Sequence, residues 1–384
     1  MTTAAAAASV VAASVAATAE GGGGDGAAVR FGIVGCAEIA RKVSRAIRMA
    51  PNASIAAVGS RSGEKSRRFL AENDLDPAAV AAYGSYEEVL DDPKVDAVYM
   101  PLPTSLHLPW AVAAADKGKH LLLEKPTALC AADLDKILAA CAAAGVQFMD
   151  TTMWIHHPRT AEMRRLLSDP ALFGDLRSVS SIFTFRADDD FLKNDIRVKP
   201  DLDALGALGD VGWYCARAAL WAAGYGLPAT AVAHRGLVTN DAGVILSFGA
   251  SLQWEDGKMA TLHGSFLSHL TMELSVTGTR GTLRLSDFII PFAEGGASFA
   301  FSSEAAFTEL VTGWRSKPGE RVVDAELPQE ALMVAEFSRL VGGIKGGSLK
   351  PERKWPEISR KTQLVLDAVK ASIDKGFLPA EVGV

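Results

Sequence analysis

Three residues of this chain have the types and spacing that proton transfer requires. The stretch KHLLLEKPTAL (residues 119–129) contains a run of leucines that is typical of a strand buried on both faces. A charged pair that includes Lys125 comes directly after this run, and a proline follows the pair. Much later, GALGDVGWYCARAAL places Asp210 and Tyr214 four residues apart, on one face of a helix. A lysine close to a tyrosine favours the phenolate and lowers the pKa of the phenol. Two of the three residues also have a structural alternative: Lys125 as a solvated strand-end charge and Tyr214 as a core residue.

A second motif joins the first predicted strand to the helix that follows it. In FGIVGCAEIA the turn matches G-x-G-x-x-G/A from Gly35 onward, with Ala37 in the middle position. Gly35 permits the tight turn, and the helix N-terminus offers N–H groups and positive dipole to a pyrophosphate. We expect the methyl group of Ala37 to tilt the dinucleotide slightly. A tight turn without a ligand is the alternative, but the regular strand–helix series around it favours a nucleotide site.

The end of the second predicted strand indicates which dinucleotide binds. A site specific for NAD carries Asp or Glu about 20 residues after the glycine motif, to hold the ribose 2′-hydroxyl. Here the strand ends in Ser60 and Arg61, with Lys65 close behind. A hydroxyl and a guanidinium suit a 2′-phosphate, so the sequence predicts NADP(H). The alternative is a solvated, basic helix start.

Residues 29–150 supply the scaffold that these motifs need. Strand and helix patterns alternate there over about 120 residues, which is typical of a doubly wound parallel sheet, a Rossmann domain. The predicted strands are VRFGIV, SIAAVGS, VDAVYM, HLLL and VQFMD, and the predicted helices cover residues 35–49, 64–71, 110–117 and 133–144.

After residue 150 the pattern changes to long segments in which polar and apolar residues alternate. Segments such as LRSVSSIFTFRA and GVILSFGASLQW predict a large, mostly antiparallel, open-faced sheet, with Asp256-Gly257 at a hairpin turn. Helices are predicted over residues 205–222, 329–344 and 358–375. We therefore expect an α/β chain whose second part, residues 151–384, is an α+β domain for substrate binding and oligomerisation.

Composition disfavours several classes of function. The net charge of −6 argues against a nucleic-acid partner, and no apolar run reaches the roughly 18 residues that suggest a membrane span. Four scattered cysteines are typical of free thiols in a reducing compartment, and the spacing of Cys and His predicts no metal site. Residues 1–28, rich in Ala, Ser, Thr and Gly, predict a disordered tail. We expect a cytoplasmic protein, with a plastid address as the alternative.

Four motifs, in the order RFGIVGCAEIA, VYMPLPTSLH, KHLLLEKP and ALGDVGWY, resemble the glucose-fructose oxidoreductase/inositol dehydrogenase/MocA family of pyridine-nucleotide oxidoreductases. The resemblance covers nearly everything from Val29 onward. It is strongest to the branch of dimeric dihydrodiol dehydrogenase and NADP-dependent D-xylose 1-dehydrogenase, and within it to plant members. Tyrosine at position 214 is typical of that branch, where inositol dehydrogenases have histidine. The run of three glycines usual upstream of Gly206 is replaced here by Asp203-Ala204-Leu205.

The resemblance implies an NADP(H)-dependent dehydrogenase or reductase that transfers a hydride between the nicotinamide and a hydroxyl/carbonyl group. The implied substrate is a small molecule: a sugar, a polyol or a vicinal diol. Tyr214 is implied as general acid/base and Lys125 as a cleft residue beside the nicotinamide, with a cis peptide bond to Pro126. Asp210 is implied to orient the substrate hydroxyl or the lysine.

Cofactor and substrate contacts are also implied. Trp154 is expected to stack on the nicotinamide or a sugar ring, with a core position as the alternative. Arg197 suits an anionic or polyhydroxylated substrate, with a solvated loop charge as the alternative. His107 is expected near the cleft, or else as a helix cap. The expected cofactor-binding residues are Gly35, Cys36, Ala37, Glu38, Ile39, Ser60, Arg61, Lys65, Leu102, Pro103, Thr104, His107, Glu124, Lys125 and Pro126.

Other functions stay open. Some members of the family bind the dinucleotide as regulators without catalysis, although such a sensor has no need of the Lys125, Asp210 and Tyr214 set. Reduction of a tetrapyrrole or an imine is a further alternative. The segment GVILSFGASLQW is expected to carry apolar side chains on the open face of the sheet as well, which predicts a homodimer joined face to face.

Overall fold

The computed structural model describes residues 28–308, 313 and 315–383. The predicted disordered tail lies outside these residues, except for its last position. In the described part of the chain, no helix is both long and apolar enough to cross a membrane. All four cysteines of the chain are free.

The first half folds into the predicted parallel sheet. Its strands are β1 (Val29–Val34), β2 (Ala53–Gly59), β3 (Ala81–Tyr83), β4 (Ala97–Met100), β5 (His120–Leu123) and β6 (Phe148–Asp150). The helices between them are α1 (Glu38–Met49), α2 (Gly63–Glu72), α3 (Tyr86–Asp91), α4 (His107–Asp116) and α5 (Ala131–Ala144). The order β3-β2-β1-β4-β5-β6 brings the carboxyl ends of β1 and β4 side by side. Open α/β sheets bind ligands at this switch point.

The second half folds into the predicted large sheet. Its strands are β7 (Leu176–Arg186), β8 (Thr230–Ala233), β9 (Val238–Thr239), β10 (Ile245–Gln253), β11 (Met259–Ser265), β12 (Leu267–Gly278), β13 (Gly281–Leu285), β14 (Gly296–Ser303), β15 (Gly319–Asp324) and β16 (Ala380–Glu381). The helices are α6 (Pro158–Leu167), α7 (Asp189–Asn194), α8 (Gly206–Ala222), α9 (Gln329–Lys345) and α10 (Lys354–Asp374). The order is β15-β14-β13-β12-β7-β11-β10-β8-β16, with β9 on β10. Within this second sheet, the described strands pair antiparallel, except that β11 lies parallel to β7.

Small polar residues form a row across the outward face of the central strands. Ser251, Thr261, Ser180 and Ser275 lie side by side across β10, β11, β7 and β12, and each is partly exposed. The expectation of apolar side chains on this face from GVILSFGASLQW is therefore wrong. Side chains alternate along a strand, and in β10 the apolar ones face inward, where α8 packs.

Helix α8 forms the centre of the molecule, since every one of its residues is buried. A Cβ added to Gly209 would lie 3.2 Å from Cγ of Pro126, so the glycine lets α8 approach the segment after β5. One face of the first sheet is covered by α9, a helix near the C-terminal end of the chain. The rings of Phe31 in β1 and Phe337 in α9 lie 5.8 Å apart, within one hydrophobic cluster that spans both sheets.

Candidate active site

A continuous cleft of about 780 Å³ connects the glycine loop with the predicted catalytic residues. Gly35 to Ile39 and Arg61 line one part, and Lys125, Asp210 and Tyr214 line another. The two parts meet at Leu102 to Thr104, directly after β4. The fold therefore gathers residues from both halves of the chain around one space.

The glycine loop has the conformation that its sequence predicts. Gly35 has a φ of +114°, which disfavours any side chain, and a Cβ there would meet Cδ2 of Leu102 at 2.9 Å. Ala37 is the N-cap of α1 and offers no side-chain cap to the first turn. The Glu38 carboxylate pairs with Arg41 at 3.2 Å and is 86% exposed, so it points to solvent. Burial raises the pKa of the Cys36 thiol.

A smaller pocket beside this loop carries hydroxyl and cationic groups. Ser60 is buried, and its hydroxyl donates to the backbone oxygen of Ser62 at 2.9 Å. Arg61 and Lys65 line the same pocket, together with Cys36, Ser62 and Tyr86. No carboxylate is among the described residues that line it. This donor set fits the 2′-phosphate of NADP and lacks the carboxylate partner that NAD prefers.

The loop after β4 places backbone and apolar groups in the cleft, and His107 behind them. Leu102, Pro103 and Thr104 line the cleft. The expected place of His107 beside the cofactor is wrong, because the ring is buried. Its nitrogens lie 2.9 Å from the oxygen of Leu102 and 3.2 Å from that of Thr127. Burial lowers the pKa of His107, so a neutral imidazole braces the loop from behind.

Glu124 is held in a fixed orientation at the end of β5. Its carboxylate accepts hydrogen bonds from the hydroxyl of Tyr99 at 2.6 Å, from that of Thr151 at 2.7 Å and from the backbone N–H of Lys125 at 3.1 Å. The side chain lines the cleft. Burial and the charge of Glu124 raise the pKa of Tyr99 well above its usual value, so this tyrosine stays a donor.

Lys125, Asp210 and Arg197 form a charged cluster in the cleft. The ammonium group of Lys125 donates to the Asp210 carboxylate, and Nε of Arg197 lies 3.2 Å from the same oxygen. Burial acts to raise the pKa of Asp210, but the two cations outweigh it and lower that pKa to about 2. The Lys125–Pro126 peptide bond is cis, as the resemblance implies. Asp210 is therefore ionised, and it holds both cations at the cleft wall.

Tyr214 lies beside this cluster but is not activated as expected. Burial, and then the charges of Glu124 and Asp210, raise the pKa of Tyr214 well above 10. The predicted net lowering of this pKa is not found, because burial and the neighbouring carboxylates outweigh the nearby cations. The ammonium group of Lys125 binds Asp210 and lies 4.9 Å from the centre of the Tyr214 ring. The phenol donates to the thioether of Met153 at 3.5 Å, a weak acceptor. Tyr214 therefore carries a proton that it can release to a better acceptor.

Trp154 does not reach the cleft. Its ring is fully buried and makes edge-on contacts with the rings of Trp221 at 5.5 Å and Phe288 at 5.8 Å. The expectation of a substrate or nicotinamide contact is therefore wrong, and the core alternative is right. The 3₁₀ turn Met153–His156 places only Met153 at the cleft.

Several cleft residues were missed by sequence reasoning. Phe183 and Phe185, two positions apart on β7, point into the cleft on the same side, and Phe191 of α7 packs on Phe185 at 5.5 Å. The alternation in IFTFRA was a usable signal, since it puts both rings on one face. Further cleft residues without such a signal are Lys42, Val43, Tyr86, Pro101, Thr151, Met153, Asp195, Ile196, Asp203, Ile289, Ile290, Glu330 and Met333.

Comparison with known proteins agrees with this geometry. Residues 29–152 match the model of the oxidoreductase family with an NAD-binding Rossmann fold, and residues 160–284 match the GFO/IDH/MocA C-terminal domain. The chain is 36% identical to D-xylose 1-dehydrogenase (NADP(+)) 2 of Haloferax volcanii over 253 residues, 66% of this chain and 74% of that protein. It is 28% identical to trans-1,2-dihydrobenzene-1,2-diol dehydrogenase of Xenopus tropicalis, over 67% of this chain and 75% of that one.

A solved structure extends the likeness to nearly the whole chain. A 3-ketoreductase from Actinomadura kijaniata, in complex with NADP and TDP-benzene, superposes with a TM-score of 0.74 at 26% identity, covering 90% of this chain and 97% of that one. The predicted cofactor, NADP(H), and the predicted class, an oxidoreductase of sugar-like hydroxyl or carbonyl groups, are thereby confirmed. The chain belongs to the glucose-fructose oxidoreductase/inositol dehydrogenase/MocA family.

Proposed function

We propose that this NADP(H)-dependent oxidoreductase works as a reductase of a sugar-like carbonyl, with Tyr214 as the proton donor. The observation that carries the proposal is the state of Tyr214. Tyr214 lines the cleft, and its hydroxyl donates to the Met153 sulfur at 3.5 Å, a weak acceptor, so a carbonyl oxygen is a better partner. A general acid with these properties suits reduction, in which the oxygen must gain a proton.

The remaining polar groups of the cleft assist that transfer. When bound, NADPH would supply the hydride, and the residues of the glycine loop would hold it. The Asp210 carboxylate keeps the ammonium group of Lys125 close to Tyr214, and the cation stabilises negative charge that develops on the substrate oxygen. For neighbouring hydroxyls of the substrate, the Asp210 carboxylate offers a hydrogen-bond acceptor and the Arg197 guanidinium offers donors.

The walls of the cleft support a ring-shaped substrate with one polar side. Phe183, Phe185 and Phe191 form an apolar wall, and Asp195 and Arg197 also line the cleft. The C–H face of a sugar or of a cyclic diol packs on aromatic rings, while its hydroxyls bind the charged groups. The relatives named for D-xylose and for dihydrobenzenediol act on molecules of this kind.

A panel of aldoses, cyclic diols and dicarbonyls, each assayed by NADPH absorbance in both directions, tests the proposal. We expect NADPH-dependent reduction of at least one carbonyl, faster than oxidation of the matching alcohol with NADP⁺ at neutral pH. Tight NADPH binding without turnover of any panel member would favour a regulator and overturn the proposal.

We also infer a homodimer joined through the open sheet face. A central row of small residues, Ser251, Thr261, Ser180 and Ser275, lies on this face, and at its margins Met259 and Val322 leave large apolar side chains 44% and 68% exposed. A second copy of the same face suits this surface because isologous contacts are self-complementary. The cytoplasmic location stays a prediction.

A further inference from the structure

Asp203 makes a hydrogen bond across the cleft, between the two halves of the chain. Its carboxylate accepts from the backbone N–H of Thr104 at 2.6 Å. Next to it, the backbone oxygen of Leu202 accepts from the N–H of Ser105 at 3.0 Å. These two N–H groups belong to the first turn after β4, where Pro103 provides no side-chain cap. A carboxylate at such an end satisfies an otherwise unpaired donor and complements the helix dipole.

The partner loop, residues 195–205, also holds a charged group of the active site. Arg197 lies on this loop and contacts Asp210. The loop is closed on itself by the N–H of Asp203, which donates to the oxygen of Ile196 at 3.3 Å, and it is tied to the large sheet by Asn240, which donates to the oxygen of Val198 at 2.9 Å. A shift at Asp203 therefore displaces Arg197.

This contact depends on the residue type at position 203, because the acceptor is the side-chain carboxylate of Asp203. A glycine there would have no side chain with which to reach Thr104.

We infer that Asp203 is a positioning residue that couples the two ligand sites: it ties the loop carrying Arg197 to the cofactor-lining turn at Thr104, so that bound NADPH strengthens substrate binding. This role rests on the function proposed above, in which Arg197 binds substrate hydroxyls, and on the expectation that Leu102 to Thr104, which line the cleft, contact the cofactor. When NADPH orders the turn, the Asp203 contact transmits the order to Arg197. Linkage requires the reverse effect as well, so a bound substrate must strengthen NADPH binding by the same factor.

Hydrogen exchange of the full chain measures the coupling without turnover. We expect saturating NADPH to slow amide exchange over residues 195–205 in the unmodified protein, although these residues belong to the substrate half. In Asp203→Gly the slowing should be lost, while Asp203→Asn, which keeps an acceptor oxygen, should retain it. Exposed Asp201 in the same loop provides the matched control, Asp201→Gly. Unchanged exchange over residues 195–205 on NADPH addition to the unmodified protein would overturn the inference, whether or not the variants fold.

Kinetics separate positioning from general damage. With the best panel substrate, Asp203→Gly should raise KM about tenfold, within the usual range of coupling between sites, and change kcat much less. The Kd of NADPH alone should change less than KM, and Asp203→Asn should restore most of the loss. A KM equal to that of the unmodified protein in Asp203→Gly would overturn the inference. Absence of turnover in the unmodified protein would refute the proposed function instead, and the exchange experiment would still decide the role of Asp203.

Discussion

The ammonium group of Lys125 binds the carboxylate of Asp210 and lies 4.9 Å from the centre of the Tyr214 ring. The lysine is thus directed by an acid that stands one helical turn before the tyrosine on α8. The relative positions of Tyr214, the proposed proton donor, of Lys125 and of Asp210 depend on how α8 packs against the segment after β5. Substitutions at these positions should therefore act as a unit.

Replacing Tyr214 with Phe should remove the proton donor and leave the ring packing on Phe183 intact. We expect kcat to fall about 10²–10⁴-fold, with NADPH binding and the thermal midpoint nearly unchanged. Steady-state kinetics and a fluorescence titration of NADPH measure both quantities. Tyr225→Phe, outside the cleft, is the matched control. Full activity in Tyr214→Phe would mean that a water molecule or another group donates the proton.

Replacing Lys125 with Met should leave Asp210 with Arg197 as its remaining cation. We expect kcat to fall about as far as in Tyr214→Phe, KM to rise, and the free energy of unfolding to fall by about 1.5–3 kcal/mol from the lost charged hydrogen bond. Combined with Tyr214→Phe, the losses in kcat should not add, because groups that act together share their effect. An unchanged kcat in Lys125→Met would show that the lysine takes no part in catalysis. Additive losses in the double variant would show that Lys125 and Tyr214 act in separate steps.

Replacing Arg61 with Ala should weaken NADPH binding by about one to two powers of ten and leave NADH binding nearly unchanged. The guanidinium lines the small pocket with Ser60 and Lys65, where the 2′-phosphate fits. Fluorescence titrations with both nucleotides at fixed ionic strength measure the change. Arg67→Ala, on helix α2 just after Arg61 and outside the small pocket, should change neither affinity. Equal affinity of the unmodified protein for both nucleotides would contradict this prediction.

Three histidines, two of them buried and His156 partly buried, should make the protein sensitive to mild acid. Burial lowers the pKa of His156 to about 3 and those of His120 and His157 to about 4, from 6.5. Between about pH 6.5 and pH 4 the unfolded chain binds protons that the folded chain does not. The free energy of unfolding should therefore fall with decreasing pH in this window, by up to about 1.4 kcal/mol per pH unit for each imidazole.

Urea unfolding, followed by tryptophan fluorescence at several pH values, measures that slope. In His156→Phe the ring can still stack on Trp355, as His156 does at 4.9 Å, but it cannot titrate. In this variant we expect the slope of unfolding free energy against pH to be smaller by the contribution of one proton, up to about 1.4 kcal/mol per pH unit. The same slope in both proteins would show that His156 is protonated in the folded state.

The dimer should depend on the centre of the open sheet face. Ser180 lies on β7 in the middle of that face, so Ser180→Arg places a bulky charge against its own copy. Light scattering at micromolar concentration should give a dimer for the unmodified protein and a monomer for this variant. Ser168→Arg, on the exposed end of α6, should remain a dimer. A monomeric unmodified protein would rule out this mode of association.

The sequence predicts most of the first sheet because a strand buried on both faces needs a continuous apolar run, which VRFGIV and HLLL show. It does not predict β3 or α3, since three and six residues are too few for a period to emerge. Helix α6 was also missed, although Pro158 in its first turn and the His157 cap are start signals.

Within the site, local motifs are predictable and distant pairings are not. Gly35 and Ser60 follow from their own turns. The pairing of Asp210 with Lys125 joins residues far apart in the chain. The family resemblance implies it as one of two roles for Asp210, whereas neither local sequence alone selects it. For Trp154 the residue type alone gave a wrong prediction. A tryptophan suits contact with a sugar ring, but here tertiary packing against Trp221 places it in the core. The shift in the pKa of Tyr214 likewise follows from burial, which sequence patterns do not quantify.

The covering of β1 by α9 imposes an order of events on synthesis. Phe31 leaves the ribosome among the first residues of the nucleotide half, whereas Phe337, the ring that packs beside it, is added near the end of translation. In nascent chains that contain the parallel sheet but not α9, this apolar surface must therefore be exposed to solvent or covered by a chaperone. Ribosome-bound chains ending before residue 329 should accordingly be digested by a protease at sites near β1 that the completed protein protects.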